Sequence, residues 1–334
     1  MDDELIKELS EVIQSSQINF LIGAGASTPY LPLLGNIEKA LNKAKNNADR
    51  EKHYKTYFKN IMLPNKKILR EDLSGDKNYQ QTSNSYKNFL LALSNLILKR
   101  KTTILSKQVN LFTTNIDIFL ETVLEELQIE YNDGFTAKFQ PTFGIENFKK
   151  SLYQRSLHFE HISELPVFNV IKMHGSLSWR KDKSNSKIIF SRMLNHIDKN
   201  IESKTSASFL RSYKRILIVN PEERKHIESV LNVYYSELLR MYSSELEKEN
   251  ALLIVIGFSM SDKHIKEITL RAANSNPTLR VIICCSKKSA KTMMKKMETI
   301  KYPNIQIFST DKITSEYTLD YLTKEVLERV TLEY

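Results

Sequence analysis

The stretch Ile18-Asn19-Phe20-Leu21-Ile22-Gly23-Ala24-Gly25-Ala26-Ser27 decides the fold. An apolar run of strand length ends in two glycines one residue apart, then Ala-Ser and a polar segment. That is the pattern of a buried parallel strand turning sharply into a helix N-terminus. Glycine permits backbone conformations that a side chain forbids and lets another group come close to the main chain. A helix start beyond it offers unpaired N–H groups and partial positive charge to a phosphate. Alone, the stretch also fits a tight turn that binds nothing. The dinucleotide fingerprint has a third glycine where this chain has Thr28, and the acidic residue expected on a second strand is missing.

Working outward, Leu5, Ile6, Leu9, Val12 and Ile13 recur at helical spacing before the strand. After it, Pro29 and Pro32 break regularity ahead of a helix expected from about Asn36 to Lys45. The chain then reads as helical and polar to about Lys107, with a turn-rich loop at Gly75–Ser85. Phe89, Leu90, Leu93, Leu96 and Ile97 form an apolar stripe over Tyr86–Arg100. Residues 36–107 are therefore expected as a helical insertion between the first two strands of a single domain spanning 1–334.

Val109–Phe112 reads as the next strand, running into the polar Thr113-Thr114-Asn115-Ile116-Asp117, with a helix expected from Ile118 to Leu127. Val167–Met173 is a strand ending on His174-Gly175-Ser176. Arg215–Val219 reads as a further strand, and Glu223–Leu246 as a long helix whose Tyr234, Tyr235 and Tyr242 suit packing. The fully apolar Ala251–Ile256 suits the centre of a parallel sheet and ends on Gly257-Phe258-Ser259-Met260-Ser261-Asp262. Asp262 is placed to cap the helix that starts near Lys263. A helix, a strand, a helix, a strand at Ile305–Phe308 and a last helix follow. Strands alternating with helices predict an α/β fold, a doubly wound Rossmann-like parallel sheet with a helical insertion or subdomain.

The 334 residues carry a formal charge of +10. A basic surface suits nucleic acid or another polyanion. The lysines of helical segments (Lys39, Lys43, Lys45; Lys287, Lys288, Lys291, Lys295, Lys296) lack interleaved aromatic platforms and read as solvated faces. The two cysteines, Cys284 and Cys285, are adjacent in an apolar strand. Neighbouring strand residues point to opposite faces, so these two form neither an ordinary disulfide nor a four-ligand zinc site. No histidine shows metal-ligand spacing. With no signal peptide and no apolar run of membrane-spanning length, the expected location is a reducing cytoplasm.

Four strands, ending at Ile22, Phe112, Met173 and Ile256, thus run into polar clusters, three of them glycine-bearing. Ligands of open parallel sheets bind at the carboxyl ends of strands. In order and spacing, Gly-Ala-Gly-Ala-Ser at 23–27, Thr-Asn-Ile-Asp at 114–117, His-Gly at 174–175 and Gly-Phe-Ser at 257–259 resemble the sirtuins and their bacterial sirtuin-like relatives. The resemblance spans nearly the whole chain outside 36–107.

It implies an NAD-cleaving site. Gly23, Ala24 and Gly25, with Ser27, would hold the diphosphate. Asn115 and Asp117 would face the nicotinamide ribose, with Asn115 placing the attacking water and His174 as general base. Gly257 and Ser259 would line the adenosine side; Thr114 and Phe258, inside the same motifs, count with the cofactor contacts. The chain departs from zinc-bearing deacylases, which carry two cysteine pairs between the His-Gly and Gly-X-Ser motifs and an Asp-Phe-Arg run where this chain has Thr28–Leu33. It resembles better the zinc-free members, NAD hydrolases of anti-phage defence that deplete NAD and arrest the infected cell. The expectation is therefore an NAD+ glycohydrolase releasing nicotinamide and ADP-ribose, with NAD+ as substrate, no zinc and no membrane. Control would come from homo-oligomerisation or a sensor partner such as a HerA-like ATPase. A non-catalytic NAD or ADP-ribose sensor is the alternative of another class, and a protein deacylase or ADP-ribosyltransferase a third.

Overall fold

The structure is a computed structural model. It describes residues 3–33, 37, 40–41, 43–44, 46–100, 105–158, 160–182, 184, 187–195, 197, 205–213, 216–219, 229–310 and 319–330. The chain opens with α1 (Asp3–Ser15) and β1 (Gln17–Ile22), followed by α2 (Asn47–Tyr57), α3 (Leu63–Ile68) and α4 (Lys77–Lys99). Then come β2 (Gln108–Thr113), α5 (Phe119–Glu126) and the short strands β3 (Tyr131–Asn132), β4 (Phe135–Thr136) and β5 (Thr142–Phe143). β6 (Tyr153–Arg155), β7 (Ile162–Glu164), β8 (Val167–Lys172), β9 (Trp179–Lys181) and β10 (Ile188–Phe190) complete the middle of the chain. The last part contains α6 (Ser206–Tyr213), α7 (Ser229–Leu246), β11 (Ala251–Ile256), α8 (Lys263–Ser275), β12 (Arg280–Ser286), α9 (Lys287–Lys296), β13 (Ile305–Thr310) and α10 (Leu319–Leu322).

Among the described residues, seven strands form one sheet in the order β13-β12-β11-β1-β2-β8-β3, every pair parallel. Both faces are covered, which is why the central strands read as continuous apolar runs. Phe20, Ile22, Leu111, Val170, Ile254 and Cys284 enter one core with α1, α4 and α5. Leu21, Phe112, Ile171, Val255 and Cys285 enter the other, with α7, α8 and α9. The adjacent cysteines thus lie in different cores, both buried and neither in a disulfide.

Asparagines set the register between the central strands. Asn19, Asn110, Asn169 and Asn132 lie directly opposite one another on β1, β2, β8 and β3. Asn110 Nδ2 donates to Asn19 Oδ1 at 2.9 Å, and Asn169 Nδ2 to Asn110 Oδ1 at 2.9 Å. Slipping any strand by one residue would set these amides against apolar side chains, so the row fixes the level at which each strand ends.

Along the main sheet and the segments beside it, the structure departs from the sequence expectations in three places. Gly75–Ser85 is not a loop: α4 starts at Lys77, because the Asp76 side chain accepts from the N–H groups of Asn78 and Tyr79 and caps it. Its polar first half is held by burial of Thr82, Ser83, Ser85 and Tyr86. Of the strand expected over 215–219, residue 215 lies outside the described residues; among the described ones Ile216–Val219 joins no sheet and makes an antiparallel bridge from Ile218 to Gly175. The run is fully apolar because Ile216 and Ile218 face one core and Leu217 and Val219 the other, across the end of the sheet. Beyond Gly23 there is only a four-residue 3₁₀ turn, Ala24–Ser27, and no long helix. Thr28 Oγ1 closes it on Gly25 O at 2.8 Å, and Pro29 has no N–H to continue it. Of the helix expected over 36–45, residues 36, 38, 39, 42 and 45 lie outside the described residues, as do 220–228.

Candidate functional site

Ile256, Ile22, Thr113 and Lys172 stand side by side across β11, β1, β2 and β8. The four motif-bearing strands are therefore adjacent and end at one level. Gly257, Gly23 and Thr114 each come one residue beyond that line. Asn115 and His174 each come two residues beyond it, on neighbouring strands.

The glycines interlock. Gly23 N–H donates to Ile256 O at 2.9 Å, and Gly25 N–H to Gly257 O at 2.9 Å. A Cβ on Gly23 would lie 2.4 Å from Gly257 O, and one on Gly25 2.8 Å from Gly257 Cα. Gly257 itself has φ +63°, and a Cβ there would meet Ala26 N at 2.5 Å. These glycines let two loops of the protein close on each other, a demand that exists before any ligand binds.

Beneath the glycine turn lies a buried polar floor. Ser27 Oγ donates to Asp117 Oδ2 at 2.6 Å and lies 3.0 Å from the Tyr86 hydroxyl of α4. Asn115 Nδ2 donates to Gly23 O at 3.0 Å and to Ser27 Oγ at 3.3 Å. The Ser27 hydroxyl thus has its proton and both lone pairs engaged, and the residue is 1% exposed. Ser27, expected at the diphosphate, here holds the floor together. Asp117 is likewise engaged, its Oδ1 accepting from Phe119 N–H at the start of α5. Burial, and then the Asp117 carboxylate, push the Tyr86 phenol well above its usual range, so it stays a hydroxyl.

Lys172, 2% exposed, ends β8 beneath this floor. Its Nζ lies 3.0 Å from Glu121 Oε2 and donates to Asp117 O. Burial raises the Glu121 carboxyl above the usual carboxylate range, against the opposing pull of Lys172. Replacing Lys172 by alanine is expected to destabilise the protein by about 3–5 kcal/mol, since it leaves a buried carboxylate without its partner. A carboxyl raised in the native state binds its proton more tightly folded than unfolded. That stabilisation is present below the unfolded value and lost as pH rises through the raised one. Urea titrations of Lys172→Ala should therefore show the deficit shrinking toward acid pH.

His174 projects from the turn after β8. A Cβ on Gly175, at φ +76°, would meet Leu217 O at 2.2 Å, so the apolar 216–219 segment packs against the backbone of this turn. His174 O accepts from Val219 N–H at 2.8 Å. On the imidazole, Nε2 lies 3.2 Å from Asp262 Oδ2, off the line of a straight hydrogen bond. Asp262 Oδ1 meanwhile caps α8, accepting from His264 N–H at 3.0 Å and Ile265 N–H at 3.2 Å. Sequence reasoning found the cap and missed the histidine; the signal was its place in the same strand-end cluster as Gly257 and Ser259.

The site residues fall into two sets. Ala24, Thr114, His174, Gly257, Phe258 and Ser259 keep solvent exposure and could meet a ligand. Gly23, Gly25, Ser27, Asn115, Asp117 and Tyr86 are buried and shape the floor. Tyr86 also went unread, since its ring sits in the apolar stripe of α4 and only a partner for its hydroxyl marks it out. A second sheet, β4-β5-β10-β9, was likewise not foreseen. It carries an aromatic cluster beside the histidine turn, with the Phe143 and Trp179 rings 4.5 Å apart. Among the described residues no group of three or more His, Cys, Asp or Glu could hold a metal ion, and no helix is long and apolar enough to cross a membrane.

A family model described as a SIR2-like domain matches residues 109–308, which include the second, third and fourth motifs and leave out the glycine turn. No curated protein matches the chain significantly in sequence. Among solved structures, one from work on the mechanism and regulation of Sir2 enzymes has a TM-score of 0.44 at 11% identity, covering 98% of this chain and 97% of that one. A Sir2 histidine-to-tyrosine mutant solved with a p53 peptide and NAD has a TM-score of 0.49 at 13% identity, covering 98% of each chain. Likeness at that distance carries no residue-by-residue correspondence.

Proposed function

The chain belongs to the SIR2-like domain family, and on that premise we propose that it hydrolyses NAD+ to nicotinamide and ADP-ribose. One observation carries the reading: Asn115 Nδ2 held on Gly23 O at 3.0 Å, and His174 Nε2 3.2 Å from Asp262 Oδ2, stand at one level of one sheet edge. The bond that breaks joins the ribose C1′ to the cationic nicotinamide nitrogen. Its electron pair leaves with nicotinamide, which departs neutral and needs no acid. Positive charge builds on the sugar, as in glycoside cleavage. A water then bonds to C1′ and gives up its proton.

The residues divide this work by type. Asn115 Nδ2 is occupied by Gly23 O and Ser27 Oγ, so Oδ1 is the atom left to orient a water. His174 takes the proton, the task a neutral imidazole performs near neutral pH. The interlocked Gly23 and Gly25 shape the turn from beneath, and Ala24 and Gly257 keep the exposure at its rim that a diphosphate would need. In the cell such an activity drains NAD. We place it, on the sequence resemblance, as an effector of anti-phage defence held in check by oligomerisation or a partner.

The test is nicotinamide release from NAD+ by the purified chain, followed by chromatography. Equal amounts of nicotinamide and ADP-ribose, with no acceptor protein added, are expected. Asn115→Ala should release about 100-fold less, within the range for loss of a group that positions a proton transfer. Binding of NAD+ without release would make the chain a sensor, and release only with an acylated peptide would make it a deacylase.

A further inference from the structure

Resting on the hydrolase reading, we propose that Asp262 is a positioning residue that fixes the His174 proton on Nε2 and leaves Nδ1 as the atom that receives the proton of water. A neutral imidazole carries one N–H and one lone pair, and which nitrogen holds which is set by the group it faces. Here Nε2 faces a carboxylate oxygen at 3.2 Å. A carboxylate only accepts, so a lone pair on Nε2 would point at the lone pairs of Oδ2. The form with hydrogen on Nε2 is the one the pair tolerates. Nε2 is also sealed from solvent, while the side chain as a whole keeps 17% exposure. Nδ1 is not sealed in this way and is the ring nitrogen open to a water.

Asp262 cannot turn away from this task, because its other oxygen is occupied. Oδ1 accepts the N–H groups of both His264 and Ile265 at the start of α8. One carboxylate therefore joins two jobs: it caps the helix after β11 and orients the imidazole after β8. It also ties the fourth strand-end cluster to the third, as Asn115 ties the second to the first.

This division supplies the test. Asparagine caps helices as well as aspartate, so Asp262→Asn keeps α8. Its Oδ1 stays on the two N–H groups, which forces Nδ2 into the place of Oδ2. Two donors would then face each other unless His174 moves its proton to Nδ1 and accepts on Nε2, which removes the base. In the triads of hydrolases the same acid-to-amide change acts through the wrong tautomer and costs about 10,000-fold. Here we expect kcat for nicotinamide release to fall about 100-fold, with KM and thermal midpoint unchanged. Nitrogen-15 NMR of histidine-labelled protein, with the His174 signal assigned by its loss in His174→Ala, reads the tautomer directly. The Nε2–H form is expected in the wild type and the Nδ1–H form in Asp262→Asn. Asp262→Ser, which keeps a cap and presents nothing to Nε2, should show a mixture.

An Nδ1–H tautomer in the wild type, or full kcat in Asp262→Asn, overturns the proposal. A wild type that shows the Nε2–H form yet releases no nicotinamide supports the pairing and refutes the hydrolase reading instead.

Discussion

His174→Ala is expected to slow nicotinamide release by about 100- to 10,000-fold, the range for loss of a positioned general base. The change should act on the chemical step alone. The backbone of residue 174 keeps its hydrogen bond, since Val219 N–H donates to the carbonyl at position 174. The ring keeps 17% exposure and its centroid is 6.1 Å from that of Tyr235, so truncation opens no sealed cavity. Asp262 retains both N–H groups of α8 and is not stranded. Unfolding midpoints should match the wild type while kcat falls and KM holds. Turnover retained in this variant would mean that the base lies elsewhere, and the site with it.

Gly257→Ala is expected to destabilise the fold by about 2–5 kcal/mol, the sum of two separate penalties. A left-handed backbone costs an L-residue roughly 1–2 kcal/mol, and φ at this position is +63°. The added methyl would then lie 2.5 Å from Ala26 N and 3.0 Å from Gly25 C, both main-chain atoms. Neither can yield without parting the first loop from the fourth, and overpacking of that kind costs about 1–3 kcal/mol. The urea midpoint should drop and NAD turnover should vanish with it, because Asn115 is held by the same turn through Gly23 O. Gly75→Ala is the control: nothing lies within 4 Å of a Cβ there, so stability should hold or rise slightly.

Much of this fold is written locally. Each strand of the main sheet except β3 was read from its apolar run, and the Cys284-Cys285 pair fell on opposite faces because a strand alternates. The misreadings share a physical cause. Ile216–Val219 looks like a strand because it is apolar on both sides, yet it faces two cores across the sheet's end rather than a hydrogen-bonded neighbour. Gly75–Ser85 looks like a loop because it is polar, yet Asp76 caps a helix there and tertiary packing buries Thr82 and Tyr86. Composition reports how much of a segment is buried, and not what it is buried against.

The sequence by itself determined that four strands end in polar clusters, and it named Gly23, Asn115, His174 and Gly257 among their residues. Tertiary structure alone decided that β11, β1, β2 and β8 are neighbours ending at one level. It also decided that the Ser27 hydroxyl donates to Asp117, 90 residues away in the chain, at 2.6 Å, and that Asp262 answers His174. Periodicity is a property of a few adjacent residues, so it fixes each strand and each turn. Contacts between loops depend on the order and register in which distant strands pair, and that is set by the packing of the whole sheet.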